Sequence, residues 1–190
     1  MIYRFLFMGY ADNPEKICLR KDCSCYGALA FDAGRVFLYV ESNEETVDPE
    51  RLADGDLRVY PNGKYWERGV EIFHYSVPMN ADQWERKEQK EPFFQINQLK
   101  PEKISSYIYY HYQYQEEYPG DWDKYGSIYL FGDLLVFYLE NPTEVETIKT
   151  VGLLTSKNTP IDTWDTLMQE HFADRWRPVK NLEHNAYIAF

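Results

Sequence analysis

The chain has 190 residues, 44% of them hydrophobic and 17% aromatic, enough apolar material for one large domain or two small ones. A net charge of −11 argues against a nucleic-acid or anionic-membrane surface, because both need clustered Lys and Arg. No apolar run approaches the roughly 18 to 20 residues of a spanning helix, and Met1 to Met8 is too short for a signal peptide, so the expectation is a soluble, cytoplasmic protein.

In chain order, the apolar run 2–8 ends at Gly9 and predicts a buried strand. Residues 11–25 are polar, and Pro14 opens at most a turn of helix there. Cys18, Cys23 and Cys25 crowd this segment without the second knuckle that a zinc site requires, so no metal is expected and the thiols read as reduced. Residues 26–31 and 35–41 predict a hairpin turned at Asp32-Ala33-Gly34. Asp48-Pro49-Glu50 carries a helix start, Asp as N-cap and Pro at the first position, and 70–77 reads as a strand. Residues 81–92 are dense in charge and read as a linker.

The second half restarts with a strand at 93–96. The segment 101–118 is Tyr- and Ile-rich enough for a strand. Its borders favour a helix: Pro101 in the first turn and Pro119-Gly120 as a stop. Ile104, Tyr107, Ile108, His111 and Tyr118 then share one face. A hairpin follows over 125–140, turned at Gly132-Asp133. Helix starts stand at Asn141-Pro142 and at Thr159-Pro160, and the run 185–190 predicts a last strand.

The chain nearly repeats itself. Tyr26-Gly27-Ala28-Leu29-Ala30-Phe31 and Val36 to Glu41 return 99 positions later as Tyr125-Gly126-Ser127-Ile128-Tyr129-Leu130 and Leu135 to Glu140. Pro-Glu-Lys-Ile stands ahead of each copy, at Pro14 and at Pro101. Such a repeat implies one supersecondary unit used twice. The expected class is α+β: two tandem ferredoxin-like repeats whose antiparallel sheets pack as an intramolecular dimeric α/β-barrel. Residues 1–80 form a degenerate first repeat, 81–92 the linker and 93–190 the second repeat, giving a monomer with an internal pseudo-dimer or a homodimer.

Chemistry-bearing residues concentrate in the second repeat. On a helix, Tyr107 and His111 lie one turn apart, a proton-transferring imidazole beside a phenol. Tyr125 opens the next strand, and Trp164 offers a flat apolar face of the kind that packs on a sugar ring. The rival reading for each is packing; His74, alternating with apolar neighbours in a strand, reads as structural, and the sequence names no partner for His171 or His184. The remaining carboxylates read as solvated faces.

Residues 93–190 resemble the L-rhamnose mutarotase family, small dimeric α/β-barrel proteins. The matching pieces are Phe93-Phe94-Gln95-Ile96-Asn97, the Tyr-x-x-x-His spacing of Tyr107 to His111, both strands of the second hairpin and the apolar terminal run. The family's adjacent Trp pair is here Trp164 followed by Asp165. The resemblance implies His111, Tyr107 and Tyr125 as catalytic residues and Trp164 as a substrate-binding residue. It implies a sugar-binding protein that interconverts aldose anomers by acid/base ring opening, with a monosaccharide as partner and no cofactor. A non-catalytic binding or sensing protein on the same fold and another cofactor-free barrel enzyme stay open as alternatives.

Overall fold

The computed structural model describes residues 1–20, 25–146 and 152–185. Its strands in chain order are β1 (Tyr3–Tyr10), β2 (Cys18–Leu19), β3 (Tyr26–Asp32), β4 (Arg35–Ser42), β5 (Ala53–Asp54), β6 (Glu67–Arg68) and β7 (Val70–His74). They continue as β8 (Glu91–Gln98), β9 (Ser127–Phe131), β10 (Leu134–Asn141), β11 (Arg177–Pro178) and β12 (Lys180–His184). The helices are α1 (Ala81–Trp84), α2 (Ile104–Glu117) and α3 (Trp164–Gln169). The protein is therefore mixed α+β with antiparallel pairing and few helices. No helix among the described residues is long and apolar enough to cross a membrane.

The chain divides into two compact units, one of residues 1–69, 78–94 and 179–190, the other of 70–77 and 95–178. The first unit's sheet runs β12-β3-β4-β1-β6. Its central strands are buried on both faces, and the two-sided apolar content of Phe5 to Met8 and Val36 to Val40 reflects that. One face, made by Phe5 and Phe7 of β1 with Val36, Leu38 and Val40 of β4, packs under Ile17, Leu52, Ala53 and Trp66. After β1 the chain makes the single 3-10 turn Pro14–Lys16, the turn of helix expected at Pro14. After β4, where a short helix was expected at Asp48-Pro49-Glu50, it makes only the 3-10 turn Pro49–Arg51; the small β2–β5 ribbon pairs these two connections. Asp48 caps the second turn by accepting from Glu50 N–H at 3.1 Å.

The second unit's sheet runs β11-β8-β10-β9-β7, and this unit carries the helices α2 and α3. Helices α2 and α3 contribute Tyr107 and Met168 to a core that includes Phe73, Leu99, Ile128, Leu135 and Phe172. Each unit takes its four strands in the same spatial order, β3-β4-β1-β6 in one and β9-β10-β8-β11 in the other. Both hairpins have two-residue turns. Ala33 and Gly34 take φ of 47° and 86°, and Gly132 takes 62°. The first turn is also clamped by Arg35 and Asp32 at 2.6 Å.

The fifth strand of each sheet is exchanged. β7 follows β6 after Gly69, yet pairs with β9 of the second unit. β12 follows β11 after Val179, yet pairs with β3 of the first. Unit boundaries therefore differ from 1–80 and 93–190, because a strand joins the sheet whose edge it can pair rather than the one nearest in sequence. The charged stretch 81–92 is no bare linker either. Asn80 caps α1 through Gln83 N–H at 2.8 Å, Trp84 is fully buried, and Lys90 is buried.

The helix expected at Asn141-Pro142 does not form among residues 141–146. The Asp123 carboxylate holds Glu140 N–H at 3.0 Å and Glu144 N–H at 3.1 Å, and Asp123 bridges Val145. Of the expected terminal strand, 186–190 lies outside the described residues, as does Cys23. Cys18 is exposed and Cys25 buried.

Candidate functional site

The second unit holds a cleft of about 780 Å³ with walls from β7, α2, α3 and the face of the β8–β10–β9 sheet that the helices pack on. Its size is that of a small-molecule site. The helix predicted for 101–118 forms, with a 3-10 turn at Pro101–Lys103 running into α2, and it places Tyr107 and His111 on the cleft face. Their ring centroids stand 4.0 Å apart. Trp164, at the start of α3, meets the His111 ring edge-on at 5.0 Å, and Phe73 does so at 5.2 Å from β7.

His111 donates Nδ1–H to the Tyr107 carbonyl oxygen at 3.0 Å, which leaves Nε2 as a lone-pair acceptor without a partner among the described residues. The ring is 5% exposed. Burial pushes its pKa down to about 3 against the upward pull of that hydrogen bond, and His171 adds to the depression. The imidazole is therefore neutral at physiological pH. Tyr107 is held well above the ordinary phenol value by burial, with Tyr75 adding to it, so the resting side chain is a neutral phenol. A neutral donor, a neutral acceptor and aromatic walls suit an uncharged hydroxylated ring.

Tyr125 does not join them. It is fully buried in the turn that Gly126 N–H closes onto the Asp123 carbonyl at 2.9 Å, with Lys124 Nζ 4.9 Å over its ring, and it does not line the cleft. Ile128, in the strand that follows, is the residue of this segment that reaches the cleft. Thus three of the four residues expected to form the site converge.

Several contributors carry no sequence signal of their own. Tyr75, from the exchanged segment, lines the cleft, and burial beside Asp121 and Asp123 raises its pKa to about 12. Tyr114 donates to Asp121 Oδ2 at 2.8 Å and lies tilted against Trp164, ring centroids 5.1 Å apart. Gln95 and Trp176 complete the walls. His171 is buried behind Tyr107, donating Nδ1–H to Leu167 C=O at 2.9 Å with Ser106 Oγ 3.0 Å from Nε2. It pins α2 to the end of α3.

Glu117 overturns the reading of the acidic stretch as solvated. It is 1% exposed and accepts from Ser156 Oγ, Thr159 N–H and Thr159 Oγ1, each at 2.7 Å. Burial opposes its ionisation, yet these bonds, joined by Asn158 N–H, outweigh it and pull the pKa down to about 2. Lys157 Nζ donates to the Glu117 carbonyl, a cation at the helix C-terminus. The loop so fixed leads straight into Ile161, Asp162 and Trp164 of the cleft wall.

The repeat supplies an internal control. A Cβ on Gly126 would stand 2.7 Å from the Tyr75 ring and 3.0 Å from the Asp123 carbonyl oxygen. On Gly27, its counterpart, the nearest atom would be a Leu19 methyl at 3.2 Å, with the Tyr39 carbonyl oxygen at an ordinary 3.9 Å. Gly126→Ala is expected to cost about 1–3 kcal/mol by urea denaturation and to displace Tyr75 in the cleft, whereas Gly27→Ala costs under about 1 kcal/mol. Equal costs would refute the assigned packing of Tyr75.

Among the described residues, no group of three or more His, Cys, Asp or Glu converges as a metal site would require. Comparison with protein-family models, with curated proteins and with solved structures finds no match for this chain.

Proposed function

We propose that the second unit binds a monosaccharide and exchanges its anomers, on two tandem ferredoxin-like repeats of the kind that build dimeric α/β-barrels. The shared strand order supports the repeats. The observation that carries the activity is the convergence of Tyr107, His111 and Trp164 on one cleft. Trp164 packs on the apolar face of the sugar. Tyr107 O–H donates to the ring oxygen while His111 Nε2 accepts the proton of the anomeric hydroxyl, and the ring C–O bond breaks as the aldehyde forms. After rotation about the C1–C2 bond the hydroxyl re-adds to the other face, the Nε2 proton returns to the new anomeric oxygen and Tyr107 recovers its own. Nothing is consumed.

Saturation-transfer NMR on rhamnose, fucose and related sugars measures the exchange. His111→Ala is expected to abolish the acceleration with the fold retained, and the wild-type rate is expected to stay flat from pH 8 to pH 5, because His111 does not protonate in that range. Acceleration that survives His111→Ala would sink the mechanism. Binding without acceleration would favour the sensing reading, which the weak basicity of His111 and the absence of Tyr125 from the cleft support.

A further inference from the structure

The charged groups of the cleft's described lining have one sign. None of its described lining residues is Lys or Arg, whereas Asp162 and Asp165 stand exposed in its wall and Asp121 is hydrogen-bonded to the lining Tyr114. At its buried end the His111 ring, 95% out of solvent, presents the Nε2 lone pair with no partner among the described residues. A lone pair at the buried end of the cleft is matched by a donor, and a carboxylate or phosphate oxygen placed there would meet it with a second lone pair. The walls add aromatic rings from Trp164, Tyr114, Phe137 and Trp176, whose negative faces attract cations and repel anions. Three independent features therefore select in one direction.

We propose that the cleft selects its ligand by charge: it takes ring compounds that present an N–H or O–H donor to His111 Nε2, prefers the ammonium-bearing member of a matched series, and rejects carboxylates and phosphates. This rests on the same cleft as the sugar reading but does not need the ligand to be a sugar. The ligand class is an amine-bearing or neutral hydroxylated ring, and sugar acids and sugar phosphates are excluded substrates. The wall aspartates supply the preference for the cation, and His111 supplies the demand for a donor.

The test titrates the full chain with two matched series at about pH 6, where the amines are protonated and the carboxylates ionised. One series is glucosamine, glucose and glucuronate; the other is benzylamine, benzyl alcohol and benzoate. Indole and backbone NMR shifts report binding. The expected order is amine, then alcohol, then carboxylate, with the carboxylate at least about tenfold weaker than the amine. Asp162→Asn with Asp165→Asn, both at exposed positions, should narrow the amine-to-carboxylate ratio without disturbing the fold. His111→Phe keeps an aromatic wall and should lower amine and alcohol affinity together. Benzyl compounds ordered by charge with no sugar bound would end the sugar reading and leave charge selection standing. Sugars bound without regard to charge would do the reverse. Carboxylate binding as tight as amine binding, a ratio unmoved by the aspartate substitutions, or no binding in either series would overturn the proposal.

Discussion

Arg86→Ala is expected to lower the stability of the first unit by about 3–5 kcal/mol. The side chain lies in the stretch that composition marks as a linker, yet it is 4% exposed against a fully buried Glu41. Nη1 and Nη2 reach Oε2 and Oε1 of that carboxylate at 3.0 Å each, a bidentate pair. The guanidinium also lies 4.1 Å over the Tyr26 ring, and the Tyr39 hydroxyl donates to Glu41 Oε1 at 2.9 Å. Truncating Arg86 leaves a buried carboxylate with one neutral donor, and that uncompensated charge is the main cost. Arg86→Met combined with Glu41→Leu removes both charges and should recover most of the loss in urea denaturation. A double variant as unstable as the single one would show that the charge pair is not the cause. The same Tyr-x-Glu hydrogen bond recurs 99 residues later, Tyr138 O–H to Glu140 Oε1 at 2.6 Å, so the repeat conserves a buried polar contact as well as apolar strands.

Glu117→Ala is expected to cost about 2–4 kcal/mol and to raise hydrogen exchange at the amides of residues 156–159, because buried donors lose a charged acceptor. Its pH signature is separable from that of His111. The Glu117 pKa falls from 4.5 to about 2 on folding, so its contribution is complete above pH 4.5 and is lost as pH drops toward 2. His111 falls from 6.5 to about 3, so between those values the unfolded chain holds a proton that the folded one lacks. Stability therefore declines by about 1.4 kcal/mol per pH unit in that window. Urea midpoints recorded against pH should lose the upper part of the acid slope in His111→Phe and the lower part in Glu117→Gln. An unaltered profile in either variant would contradict the assigned environment.

Local chemistry made most of the elements legible. Two-residue turns at Ala33-Gly34 and Gly132-Asp133, the Pro-led start at Pro101 and the spacing of Tyr107 to His111 are short-range signals, and each appears where the sequence places it. Pairing between distant strands was not legible, since any edge with the right pattern competes for β7 and β12. That is why Phe73 and Tyr75, numbered in the first half, were not expected in a second-half cleft. Glu117 and Asp123 were hidden for a related reason. An acidic run looks solvated until a loop some forty residues on, or a strand end some twenty on, supplies the donors. Tyr125 shows the converse: a repeat preserves a residue for its turn as readily as for a site.

The exchanged fifth strands have a genetic meaning. A lesion in residues 180–184, read by position as damage to the second half, strips an edge from the sheet that begins at Tyr3. A lesion in residues 70–74 removes Phe73 from a cleft whose other walls are encoded downstream. Neither half of the reading frame specifies a whole five-stranded sheet.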